Sequence, residues 1–150
     1  MRACQNASAI REIGLDSGTP PDEALLTSDT PWVARGYVSD WPVVRKARES
    51  ASSALTYLSE FYNGRPVSAF LAEPQEKGRF FYNTNVTGFN YVQVNTKLDQ
   101  VFEKLLSFDP AGSNPALYVG STQTSAWLPG FNEAHPIPCN LPGVMTSLWI

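Results

Sequence analysis

Val144-Met145-Thr146-Ser147-Leu148-Trp149-Ile150 reads as a β-strand, with bulky apolar side chains flanking a Thr-Ser pair. Residues of this kind fit a pleated, half-buried surface. The termini of a domain are ordinarily polar and frayed, whereas this chain stops at Leu148-Trp149-Ile150 with no turn after it. An open hydrophobic edge invites aggregation. The strand therefore predicts neighbours on both sides, in a sheet whose other strands are mostly absent from these residues.

The totals narrow the function classes. A chain of 150 residues, 43% hydrophobic, fits one domain with a real core. The net charge of -3 and a pI near 5.1 provide no basic field for a nucleic acid. No run approaches the roughly 18 apolar residues of a membrane span, and Met1-Arg2-Ala3-Cys4-Gln5-Asn6 lacks a signal peptide's apolar core. The expected location is the cytoplasm. Cys4 and Cys139 form no CxxC pair, which predicts two free thiols rather than a zinc site or a disulfide framework. The sequons at Asn6 and Asn85 are read as chance matches. With 4 Trp, 6 Tyr, 8 Phe and 12 Pro, the chain suits short strands and ordered loops better than a helical bundle.

Working back from the final strand, the pattern predicts an α+β chain without repeats, organised as one unit over residues 1–150. A short strand is expected over 8–14, then a brief helix through Glu23-Ala24-Leu25-Leu26 capped by Thr19. A strand over 32–38 contains Gly36, and Ser39 or Asp40 then caps a helix with Pro42 in its first turn. Ala54, Leu55, Leu58, Phe61 and Tyr62 share one face of a further helix, closed by Gly64. Strands are expected at 66–71, 79–82 and 89–94. Thr96-Lys97-Leu98-Asp99 then caps a helix whose stripe is Leu98, Val101, Phe102, Leu105 and Leu106. Ala116-Leu117-Tyr118-Val119-Gly120 is a buried strand, and the chain from there to Pro142 is loop-rich. About as much helix as strand is expected.

No catalytic set emerges from these residues. Non-haem iron sites of the facial type need two histidines and a carboxylate, and the only histidine is His135. Placed in a loop before Pro136, it reads as a surface side chain. There is no G-x-S-x-G elbow for a hydrolase and no G-x-G-x-x-G or G-x-x-x-x-G-K loop for a nucleotide. Tyr118, inside an apolar strand, has two readings: a core tyrosine bonded to a backbone carbonyl, or a donor to a ligand carboxylate. Arg79, Asn83, Asn85 and Asn90 around Gly88 line a cleft or belong to solvated loops.

Three segments together carry a resemblance. Pro31-Trp32-Val33-Ala34-Arg35-Gly36-Tyr37-Val38-Ser39-Asp40-Trp41-Pro42 resembles the lead-in segment of bacterial cupin-like proteins of the JmjC type, relatives of the asparaginyl hydroxylase of the hypoxia response. Gly78–Asn83 with Thr87–Asn90 resembles the next block, and Pro115–Thr122 with Ser147–Ile150 resembles two strands before the metal site. The match runs in order from about Ile10 to Ile150.

The resemblance implies the helix-and-strand N-terminal portion of a cupin double-stranded β-helix, or jelly-roll, incomplete at its C-terminal end. It also implies an oxygenase that uses Fe(II) and 2-oxoglutarate to hydroxylate an unidentified substrate, with a homodimer as one form open to the complete protein. In the family the last strand runs on into a His-x-Asp motif, with a second histidine much later. Neither is present here, so this chain is expected to hold no metal, to bind neither group tightly and to be inactive alone. Tyr118 matches the tyrosine that hydrogen-bonds the distal carboxylate of 2-oxoglutarate. The alternative is a non-catalytic binding or scaffold module that keeps the lead-in segment.

Overall fold

The computed structural model describes residues 9–109, 112–138 and 145–150. Cys4, Cys139, the sequon at Asn6 and Val144 lie outside them. Arg11–Glu12 (β1) pairs in parallel with Trp32–Val33 (β2), and Glu23–Leu26 (α1) lies between the two in sequence. Asp22 caps α1, its carboxylate accepting the Leu25 N–H at 2.8 Å; the Thr19 cap does not form. The reason is local, because Pro21 disfavours helical backbone at the residue before it and delays the start. The strand expected over 32–38 ends at Val33, since residues 35–40 are turns and Gly36 takes φ 77°. Trp32 Nε1–H donates to the Leu25 carbonyl at 2.9 Å and the Tyr37 hydroxyl to that of Thr19 at 2.6 Å. Even so, no residue from 9 to 57 is buried.

Two helices come next, Pro42–Glu49 (α2) and Ala51–Ser59 (α3). Ser50 ends the first and starts the second: its extended backbone breaks the helix, and its Oγ accepts the Ser53 N–H at 2.9 Å. Neither Ser39 nor Asp40 caps α2, whose N-cap is Trp41 with no side-chain bond. The acceptor comes instead from His135, 92 residues along the chain, whose Nε2 accepts the Val43 N–H at 3.2 Å. His135 is thus not a surface side chain. It is only 3% exposed, and its Nδ1 bonds the Phe131 carbonyl at 2.7 Å. Trp41, Tyr57, Phe61 and Phe131 surround the ring, with Phe131 stacked on it at 4.0 Å between centroids.

Val67–Ala72 (β3) is central in an antiparallel sheet, with Tyr91–Thr96 (β4) on one side and Ala116–Val119 (β5) on the other. The strand expected over 79–82 is reduced to a single bridge between Tyr82 and Phe89. Leu98–Leu106 (α4) starts as its stripe predicts, but Gln100 rather than Asp99 reaches back. The Gln100 amide oxygen accepts the Thr96 hydroxyl at 2.7 Å and the Lys97 N–H at 3.4 Å. The region expected to be loop holds Thr122–Gln123 (β6), Thr124–Trp127 (α5) and Phe131–Ala134 (α6). Ser147–Leu148 (β7) pairs antiparallel with β6, and Val119 and Ile150 exchange both backbone bonds at 2.8 and 2.9 Å. Among the described residues the terminal strand thus has one neighbour, the chain from 119 to 124. Among the described residues helix, at 31%, outweighs strand, at 19%. No helix among the described residues is long and apolar enough to cross a membrane.

The two faces of this sheet differ. Val67, Ala69 and Val119 face α3 and α4, where Leu58, Leu98, Val101 and Phe102 close a core that Leu128 and Phe131 complete. Leu105 and Leu106, the far end of the α4 stripe, are exposed, and Leu105 borders a cleft of about 490 Å³ with Leu71, Phe108 and Leu117. Leu98 is wholly buried at the start of α4. Truncating a buried leucine removes its transfer free energy and leaves a cavity. Leu98→Ala should therefore lose about 2–5 kcal/mol of stability, measured as a lowered urea midpoint; a loss under about 1 kcal/mol would show that this face is not the core.

Candidate functional site

Side chains alternate across a strand, so Tyr118 points away from the core that Val119 enters. It lies opposite Phe70 in the ladder, and the two rings stack at 5.8 Å between centroids. Phe80 and Trp149 flank it at 5.6 and 5.9 Å, and Tyr91 meets both Phe70 and Phe80. The result is an aromatic wall on the second face of the sheet, half-buried at Tyr118 and open at Trp149, which is 59% exposed. Of the two readings of Tyr118, the backbone-bonded core tyrosine does not hold. Among the described residues its hydroxyl takes no hydrogen-bond partner, and no buried side-chain polar atom is left unpaired. The hydroxyl is therefore not fully enclosed.

What aims this ring is a feature that the sequence reading missed. Val119 faces Ile150 while Thr122 faces Leu148. Two residues, Gly120 and Ser121, thus oppose the single Trp149, which makes a β-bulge. Ser121 takes the left-handed φ of 51° that turns the strand. The Tyr118 ring folds back along its own strand over Gly120, where a Cβ would meet the phenol oxygen at 2.7 Å and the ring carbon Cζ at 2.9 Å. The signal was available as Tyr118-x-Gly120, since residues two apart share a face.

The polar residues around Gly88 divide. Asn90 holds the loop that presents Phe80: its Oδ1 accepts the Phe81 N–H at 2.8 Å, and its amide N–H groups donate to Glu76 Oε2 at 2.6 Å and the Arg79 carbonyl at 2.9 Å. Asn90 also borders a cavity of about 240 Å³ with Ala72, Phe89, Tyr91 and Pro115. Asn83 is spent on Thr87, and Arg79 and Asn85 are exposed. Asn90 is thus a structural anchor of the wall.

Among the described residues, the donor set does not fit Fe(II). Both nitrogens of His135 are engaged inside an aromatic cage. No group of three or more His, Cys, Asp or Glu side chains is placed to hold a metal among the described residues. No reaction step is therefore assigned to a metal held by this chain.

The wall itself can be tested. Gly120→Ala should drive the Tyr118 ring out of its place between Phe70, Phe80 and Trp149. A changed near-ultraviolet circular dichroism spectrum and a stability loss of about 1–3 kcal/mol are expected. An unchanged spectrum would show that the ring is not held by residue 120.

No curated protein and no solved structure matches this chain. A family model described as the cupin-like domain matches residues 20–150, which spans the lead-in segment, the three-stranded sheet, Tyr118 and the terminal strand. The chain belongs to the cupin-like domain family.

Proposed function

We propose that residues 1–150 form the lead-in portion of an Fe(II)/2-oxoglutarate-dependent oxygenase of this family. In this reading they supply the wall for the co-substrate's distal carboxylate, while the iron ligands come from outside these residues. The observation that carries it is the Tyr118 hydroxyl, which stands on an aromatic wall without a partner among the described residues. A phenol O–H is a donor in a largely apolar setting, and a hydrogen bond to an ionised carboxylate is among the stronger kinds. The flanking rings of Phe70, Phe80 and Trp149 would exclude water from that bond and strengthen it. Gly120 and the bulge hold the donor in place, which is what orients a co-substrate before chemistry begins.

A second reading has its own observation. A formed core, with both His135 nitrogens engaged among the described residues, suits a non-catalytic binding module that keeps the cupin-like lead-in. The reading frame past codon 150 separates the two, because a His-x-Asp motif there belongs to the oxygenase alone.

For these residues by themselves, anaerobic purification with Fe(II) and 2-oxoglutarate should yield no stoichiometric iron, and no succinate above a protein-free blank. Bound iron at one per chain, or succinate formation, would overturn the assignment of the metal ligands to residues outside 1–150.

A further inference from the structure

His135 is bonded to two partners of opposite polarity. The Phe131 carbonyl can only accept, so the imidazole Nδ1 at 2.7 Å carries the proton. The Val43 N–H can only donate, so Nε2 at 3.2 Å is bare. The two bonds select the Nδ1–H tautomer of the imidazole, which is 3% exposed. Among the described residues the bond from Val43 is the only side-chain bond at the start of α2, because Pro42 has no N–H and Trp41 offers no side-chain cap. It also ties α6, late in the chain, to the helix that comes after the unburied lead-in residues.

We propose that His135 is an acid-operated latch: a proton on Nε2 removes the acceptor of the Val43 N–H and uncaps the start of α2. The proton comes from solvent and is shared with no other group. Once Nε2 carries it, a donor faces a donor, and the cage offers no replacement acceptor at that position. The walls contributed by α2, α3 and α6 are the rings of Trp41, Tyr57, Phe61 and Phe131.

The titratable and charged groups on these elements do not compensate. On α3, Tyr57 touches the ring, but burial first, and then the Glu60 carboxylate, push its phenol up against an opposing effect of Arg45. It stays a neutral phenol across the range in which histidine titrates. Glu60, Arg45 on α2 and Glu133 on α6 are exposed, and none is hydrogen-bonded to the imidazole. An imidazolium stacked on the Phe131 face would gain some cation–π attraction. That attraction would keep the ring in the cage without restoring an acceptor to Val43. The cap is lost whether or not the ring moves.

No residue from 9 to 57 is buried, and Val43 is the first described position packed against the core. Trp41 and Val43, on either side of the start of α2, both meet His135, and Ser39 Oγ accepts from Arg48 of the same helix at 3.1 Å.

With a single histidine in the chain, the imidazole resonances of histidine-labelled protein report this ring alone. Nitrogen NMR at pH 7.5 is expected to show the Nδ1–H tautomer. Between pH 7.5 and 5, the protection factor of the Val43 amide against exchange should fall at least tenfold, in step with protonation of the ring. In His135→Gln, whose amide oxygen can accept but does not titrate, the protection should stay level across the same range. The proposal is overturned if the ring takes up its proton while Val43 remains protected. It is equally overturned if the ring stays neutral to pH 5, or if His135→Gln shows the same fall as the wild type. Should the variant not fold, the wild-type titration decides alone.

Discussion

The start of α2 depends on one hydrogen bond between residues 92 positions apart. Pro42 gives the helix the right first φ but removes its own N–H. The first backbone donor needing a partner is then Val43, beside an aromatic cluster that excludes water. A net hydrogen bond contributes about 1 kcal/mol, yet an unpaired donor in such a place costs about 1–3 kcal/mol. The larger effect is the one avoided. His135 supplies the acceptor because its other nitrogen is fixed on the Phe131 carbonyl, one helical turn back. The same contact seats α2 beside α3 and α6, so an end-of-helix requirement becomes a tertiary one.

This interaction also marks where the sequence stops being readable. The stripes of α3 and α4 were legible, since i, i+3 and i+4 spacing states a buried face directly. Leu58, Leu98, Val101 and Phe102 all reach the core as that spacing requires. Helix starts were less legible. Thr19, Ser39 or Asp40, and Thr96 with Asp99 each fit a local capping rule, yet the acceptors used are Asp22, His135 and Gln100. A cap rule sees only the few residues around it, and His135 is far away in sequence. Its setting before Pro136 resembles a solvated loop until α6, four residues long, is known to exist. Helices that short carry no period, and the same holds for α5.

The sheet shows the same limit on its other side. Period two was legible in the ladder as far as it went. Val119 inside and Tyr118 outside agree with alternation, and the register with Phe70 is fixed once β3 pairs with β5. The bulge was not legible, because it arises from pairing residues 119–124 with residues 146–150 across a one-residue mismatch. Yet the bulge sets the site. It places Trp149 beside Tyr118, and the absence of a Cβ at Gly120 leaves room for the phenol to lie along the strand.

These two features make different demands on the chain. The His135 contact joins residues from helices that carry core side chains, and it would serve a structural module as well as an enzyme. The Tyr118 wall is different. A fully enclosed tyrosine would need a partner for its hydroxyl, whereas Tyr118 is half-buried. Among the described residues a core tyrosine's usual bond is missing, while the bare Gly120 lets the ring lie along its own strand next to the left-handed Ser121. Left-handed backbone at a residue other than glycine carries a cost, and such strain tends to persist where something beyond folding is served. That cost falls at the bulge which places Trp149 beside Tyr118.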